Sequence, residues 1–435
     1  MKRKAPLTVI LCAICLSSLI LLTSQGQSPV PDYGLPPPPE SASHFEAEAR
    51  EELALLSPED KCGQVLLIGI EGRTRPGAAA RALIRELGPG GVILFADNIG
   101  TDTAALGGFI AGLQDAAAES HSGLPLIVSI DHEGGTVFRF KKGVTAVPSA
   151  ASVGGLGLAD GPRFAALLGR RAGLELRALG INLALAPVVE TGNDENARFL
   201  GTRVYGRDPA LVDLTAGAYI RGLESAGVGA AAKHFPGNAA SDPHKRLSSI
   251  KASREELDTE YFARFAAARD SGVSCILLSH VLVPALDSAE PATLSPVLIQ
   301  DELRGRLGFE GLAVTDDLYM GALMNRMKPE KSAVAALKAG ADLLMLTEDE
   351  GALQVKKAIQ AALVSGDLPE SRLDEAVLRV LELKLRFNMA DGFDSSLRAE
   401  RLAGLPGIAA ESGKEIAEFK AELAQNSQKT AKNSH

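Results

Sequence analysis

Two short patterns in this 435-residue chain combine side chains that can do chemistry: Asp242-Pro243-His244 and Asp316-Asp317. A carboxylate beside an imidazole fixes its tautomer and favours its charged form, which makes a histidine a proton donor and acceptor near neutral pH. A carboxylate held rigidly can act as a nucleophile. Nucleophile and proton donor on either side of one bond are what glycoside cleavage requires. Read alone, the Asp-Pro-His triplet is equally a polar turn stiffened by proline, because short Asp/His patterns recur by accident. The chain shows no Gly-rich phosphate cradle and no Cys/His spacing of a metal site, so no cofactor is expected.

The elements that must hold these residues are legible as a repeat. Short apolar runs stand at 64–70, 90–96, 124–130, 181–188, 228–235, 274–280, 311–317 and 341–347, separated by longer stretches of helical periodicity. Continuous rather than alternating apolar runs belong to parallel strands buried on both faces. Eight such units predict an α/β fold of the (β/α)₈ TIM type, whose chemistry sits at the carboxyl ends of the strands. A doubly wound open sheet would show fewer strands and often a Gly-rich phosphate loop. Four of the predicted ends carry ionisable groups: Asp131 after the third run, Lys233 and His234 in the fifth, His280 in the sixth, Asp316 and Asp317 in the seventh. Charge beside apolar sequence is costly to bury without purpose, and four such ends on one face point to a site.

The rest of the chain frames this domain. "MKRK" followed by an uncharged run from Leu7 to Leu22 reads as a signal peptide over 1–27, with an uncleaved N-terminal membrane anchor as the alternative. Export to the periplasm or cell envelope is expected. A Pro-rich linker follows over 28–45, then the catalytic barrel over 46–389 with a long helix predicted at 368–387. A polar tail covers 390–435, helical around 413–425 and then without regular structure. Cys62 and Cys275 lie in or beside apolar runs and read as small hydrophobes. The net charge of −9 argues against nucleic acid as the partner, since phosphate binding needs a basic face. The absence of Trp suits a small pocket better than an open groove for polymers. A monomer is expected.

The runs "DHEGGTVFRF" (131–140), "GTRVYGRDP" (201–209), "KHFPG" (233–237) with the D-x-H after it, and "PATLSPVLIQDELRGRLGFEGLAVTDDLYMGAL" (291–323) occur in that order. Together they resemble glycoside hydrolase family 3, in its β-N-acetylglucosaminidase (β-N-acetylhexosaminidase) branch, from about Leu56 to Phe387. The resemblance implies that Asp316 is the nucleophile and His244 the acid/base, polarised by Asp242. It implies that Asp131, Arg139, Arg203, Lys233 and His234 hold the sugar. The reaction implied is removal of a terminal β-linked N-acetylglucosamine with retention, from peptidoglycan fragments or chito-oligosaccharides. Many family members take the proton donor from a second domain; none is read after this barrel, so the donor is expected inside it.

This chain departs from the family pattern in one loop. Asn238 and Ala239 stand where the family has His-Gly, Pro243 replaces a small residue, and only four residues separate Gly237 from Asp242. A shorter, stiffer acid/base loop is expected. His132 stands where the family usually has Gln. The same residues would also permit a β-glucosidase or a phosphorolytic glycosidase. A non-catalytic envelope carbohydrate-binding protein is the third reading, and retention of Asp316, Asp242 and His244 together argues against it.

Overall fold

The computed structural model describes residues 33–37, 40, 42–349 and 351–433. The leader expected over 1–27 and the first residues of the Pro-rich linker lie outside them. Among the described residues, no helix is long and apolar enough to cross a membrane.

Eight short parallel strands form the centre: β1 (Leu66–Gly69), β2 (Gly91–Leu94), β3 (Ile127–Ile130), β4 (Leu183–Ala184), β5 (Gly229–Phe235), β6 (Cys275–Leu278), β7 (Leu312–Thr315) and β8 (Leu344–Leu346). Each lies inside one of the eight apolar runs. Their order is β7-β6-β5-β4-β3-β2-β1-β8, the arrangement of a nearly closed barrel. Alternate side chains divide into two cores, as a period of two requires. Ile68, Val92, Val128, Ala232 and Ile276 join the core between sheet and helices. Leu67, Ile93, Ile127, Ala231, Cys275 and Val314 fill the barrel interior. Helix α2 (Glu370–Arg386) sends Val380 and Leu383 into that interior core, followed by Phe387 and Met389. This end of the barrel is therefore plugged with apolar groups, and the polar site is left to the carboxyl ends.

The seam between β7 and β8 is made differently. One parallel bridge, Val314 to Leu343, closes it through the backbone. Beside it the Asp342 N–H donates to Ala313 O at 2.8 Å and the Leu318 N–H to Met345 O at 3.0 Å, and side chains add further bonds. Thr315 Oγ1 accepts from the Met345 N–H at 2.9 Å. Asp342 Oδ2 accepts from the Ala313 N–H at 2.9 Å, and its carboxylate also takes Arg304, Arg372 and Arg379. At the upper end Asp317 Oδ1 accepts from the Thr347 N–H at 3.0 Å, while Thr347 Oγ1 donates to Asp317 Oδ2 at 2.5 Å.

The C-terminal region is more regular than its polar composition suggested. A single helix, α3, runs Ser395–Asn433 and packs along α1 (Gly157–Leu179). Phe164 and Phe419 stack at 4.9 Å between ring centroids, and Arg171 pairs with Glu415. Leu405 and Ile416 are buried in the contact. Cys62 and Cys275 are free and buried.

Candidate active site

A cavity of about 520 Å³ stands over the carboxyl ends of the strands, a size suited to a small ligand. Ile93, Leu185, Leu277 and Met345 reach it from the barrel interior, and an ionisable wall rises above them. Asp131, Arg139, Arg203, Lys233, His234, His244 and Asp316 all line it. Asp242 stands behind His244. A smaller cavity of about 270 Å³ below the strand starts is lined largely by apolar groups such as Ile110, Leu179, Phe387 and Leu402. Its ionisable groups, Arg177, Arg398, Arg401 and Asp391, supply no nucleophile with a proton donor.

One side of the wall is an alternating chain of charges. Arg139 donates to Asp131 Oδ2 at 3.0 Å, and Lys233 Nζ donates to Asp131 Oδ1 at 2.8 Å. Lys233 also meets Glu133 Oε1 at 2.7 Å. Arg203 grips Glu133 with two parallel bonds, Nε to Oε2 at 2.7 Å and Nη2 to Oε1 at 2.8 Å. Burial alone would raise the carboxyls of Asp131 and Glu133, but the neighbouring cations outweigh it and hold both below the usual range. Lys233 is the mirror case: burial pulls its ammonium down, yet the two carboxylates lift it above its ordinary value. All three groups are charged at neutral pH and their geometry is fixed by bidentate or two-partner pairing.

His234 is held from the opposite side. Arg203 Nη2, which can only donate, lies 3.3 Å from its Nε2, so Nε2 accepts. Nδ1–H then donates to Glu190 Oε1 at 2.8 Å. Glu190 also accepts from Asn238, from the backbone N–H at 2.6 Å and the side-chain amide at 2.7 Å. Asn238, where the family pattern has a histidine, is thus a buried brace for the Glu190–His234 pair. Lys233 and His234 both face the cavity; the peptide between them is cis, and the pairing register with β6 shifts there.

The dyad and the nucleophile candidate complete the wall. His244 Nδ1 lies 2.7 Å from Asp242 Oδ1, which also accepts the His244 backbone N–H at 3.0 Å. Burial, the largest single effect on Asp242, raises its carboxyl, and the bonds from His244 together outweigh it and leave the carboxyl lowered. With Nδ1–H given to Asp242, Nε2 is left for the cavity side. Phe199 packs its ring 6.2 Å from the His244 ring and lies under Arg203 at 5.4 Å. Four carboxylates line the cavity: Asp131 and Glu133 carry cations, and Asp317 is bonded to Thr347 and to the Tyr319 N–H. Asp316 is different. Its Oδ1 accepts the Asp317 N–H at 2.9 Å, and no cation pairs with it among the described residues. The fourth strand-end residue picked out from sequence, His280, lies beneath this surface; its Nε2 meets the Asp317 carbonyl at 2.9 Å and its Nδ1 meets Thr293 Oγ1 at 2.7 Å. Burial lowers its basicity.

Sequence reasoning missed Glu133, Glu190 and Phe199. Glu133 sat inside the quoted "DHEGG" run, and Glu190 follows the fourth apolar run by two positions, so the strand-end criterion extended by two residues finds it. Phe199 carried no such signal. His132, buried between the rings of Phe138 and Phe140, has both ring nitrogens without a hydrogen-bond partner. Among the described residues no cluster of three His, Cys, Asp or Glu side chains could hold a metal ion.

Comparison with known proteins gives the family. Residues 57–383 match the model for the glycosyl hydrolase family 3 N terminal domain. A β-hexosaminidase of Stenotrophomonas maltophilia is 33% identical over 301 residues, covering 68% of this chain and 87% of that protein. The β-hexosaminidase LpqI of Mycobacterium tuberculosis is 31% identical over 370 residues, covering 83% and 90%. The structure of a family 3 β-N-acetylglucosaminidase from a Paenibacillus species superposes with a TM-score of 0.74 at 36% identity, covering 80% of this chain and 68% of that one. On these matches the chain belongs to glycosyl hydrolase family 3, as a glycoside hydrolase of its β-hexosaminidase branch.

Proposed function

We propose that the protein is a retaining exo-β-N-acetylglucosaminidase in which Asp316 is the nucleophile and Asp242–His244 the acid/base. The observation that carries this reading is that one cavity holds a carboxylate without a cation partner and an imidazole whose second nitrogen has no hydrogen bond, among the described residues. In the first step an Asp316 oxygen attacks the anomeric carbon while His244 Nε2–H gives its proton to the departing glycosidic oxygen. The glycosyl group is then bonded to Asp316 and His244 is neutral. In the second step His244 Nε2 takes a proton from water, the hydroxide attacks the anomeric carbon, and Asp316 leaves. Two inversions give retention. Asp242 stabilises the imidazolium of the first step and fixes the tautomer needed in the second.

Asp131, Arg139, Lys233 and Arg203 are suited to sugar hydroxyls because they present fixed charge at the rim of a small pocket, and His234 because its imidazole is held in place beside them. Peptidoglycan fragments or chito-oligosaccharides with a terminal N-acetylglucosamine are the substrates this reading favours. The leader read in residues 1–27 supports export to the cell envelope, with the Pro-rich segment as spacer.

The test is turnover of an aryl N-acetylglucosaminide and an aryl glucoside, with and without phosphate, by wild type, Asp316→Ala and His244→Ala. Wild type is expected to prefer the N-acetylglucosaminide without needing phosphate. Asp316→Ala should lose roughly 10⁴-fold or more, and His244→Ala roughly 10²–10⁴-fold. Full activity in Asp316→Ala would sink the nucleophile; phosphate-dependent turnover would make the enzyme a phosphorylase.

A further inference from the structure

The loop carrying the dyad is short and its residues His244, Lys245 and Arg246 are exposed. Within it the bonds are internal: the Lys245 N–H donates to Asp242 O at 3.1 Å, and Arg246 Nε donates to Ser241 Oγ at 3.2 Å. What ties it to the barrel is the turn that follows the nucleophile. The Gly321 N–H donates to His244 O at 3.1 Å, the Ala322 N–H to Pro243 O at 3.1 Å, and Asn325 Nδ2 to Lys245 O at 3.2 Å. These two N–H groups open the short helix Gly321–Met324, so they have no partner within it and are free to donate outward.

Contact is too close for any residue but glycine at position 321. A Cβ there would stand 2.7 Å from His244 O and 2.8 Å from Lys245 O, both backbone atoms. The same segment is anchored at its start, where the Asp316 N–H donates to Leu278 O at 2.9 Å and the Leu318 N–H to Met345 O at 3.0 Å. One stretch from Asp316 to Asn325 therefore begins on the strand ends beside the nucleophile and finishes under the dyad.

We infer that Gly321 and Asn325 are positioning residues, a dock that sets where the His244 imidazole stands relative to Asp316. The inference rests on His244 being the acid/base. A loop shortened and stiffened by Pro243 takes its placement from this dock rather than from its own length. The loop and the turn are 80 positions apart in sequence at the Lys245–Asn325 contact, so the link exists only in the folded chain.

The experiment uses the full-length enzyme and two readouts. In Gly321→Ala the added methyl pushes the loop away. Trypsin cleavage after Lys245, whose carbonyl is held in the dock, should accelerate several-fold, because proteolysis follows the population of the opened form. In the same variant kcat/KM, which reports the glycosylation step, should fall roughly 10- to 100-fold on phenyl N-acetylglucosaminide, a part of the 10²–10⁴-fold that a positioned acid contributes. On the dinitrophenyl glycoside, whose leaving group departs without a proton, it should stay within about threefold. Asn325→Ala removes one bond and adds no atom; it should move both readouts the same way by less, and it carries the test alone if Gly321→Ala does not fold. Unchanged cleavage after Lys245, or an equal loss on both substrates, overturns the dock. Faster cleavage with both substrates turned over at the wild-type rate upholds the dock and overturns His244 as the acid.

Discussion

At the scale of single residues, Asp316 differs from its neighbours in having no cation partner among the described residues. Asp131 and Glu133 are held ionised by Lys233, Arg139 and Arg203, so they serve as fixed acceptors and take no part as acids. His132, between them in sequence, points the other way into an apolar pocket and is fully buried. Burial lowers its imidazole to about 4, so the folded protein keeps it neutral while the unfolded chain binds a proton below about 6.5. Stability is therefore complete above about pH 6.5 and is lost as pH falls toward 4, by up to about 3 kcal/mol. His132→Leu, which also removes two unpartnered nitrogens, is expected to match or exceed wild-type stability at pH 7. Its advantage should grow toward pH 4.5 in denaturant titrations; a constant gap across pH would show that His132 does not titrate within the fold. Strand-end position named Asp131, Lys233 and His234 of the charged wall, and the family resemblance added Arg139 and Arg203; Glu133 was missed, because strand-end position marks a residue and says nothing of its partner.

Between elements, the working unit is the pair of loops after β4 and β5. Glu190 leaves β4 and braces His234 and Asn238 on the β5 side, so neither loop is set by its own sequence alone. Glu190→Gln keeps the shape but turns an acceptor toward a donor, the Asn238 N–H or amide. Charge-assisted bonds of this kind contribute roughly 1.5–3 kcal/mol, so kcat/KM on the N-acetylglucosaminide should fall about tenfold or more, expressed chiefly in KM. A loss confined to kcat would instead place His234 in the chemical step. The strands themselves were legible because burial on both faces writes a continuous apolar run. The brace was not, since Glu190 and Asn238 are 48 positions apart and each alone is an ordinary loop residue. Asn238 illustrates the limit: it read as a lost histidine, and it is a replacement that keeps a hydrogen bond to the same pair.

Across the whole molecule, the C-terminal helix α3 is a structural part of the barrel's outer layer. Its apolar positions are diluted by charge, with Leu402, Leu405, Ile408, Ile416 and Phe419 spread over four turns and more, so composition read as a polar tail. The spacing still turns them inward, Phe419 onto Phe164 of α1 and Leu402 onto Gly107 of the helix Thr103–Ala118. Removing residues 394–435 exposes Phe164 and strips Arg171 of Glu415. With roughly 1.5–3 kcal/mol for each large apolar side chain returned to water, the melting temperature should drop by roughly 5–10 °C, at about 2–4 °C per kcal/mol. An unchanged melting curve would show that α1 needs no cover.

The β7–β8 seam has a consequence for reading mutants. Asp317 stands in the cavity wall and is also one of the side chains that, beside a few backbone bonds, hold the barrel shut. A substitution there would score in an activity screen as a lost catalytic carboxylate, although the injury is to the closure beside Asp316. In this enzyme the tolerance of position 317 to change measures the architecture of the barrel, and a map of neutral substitutions would trace the seam before it traced the chemistry.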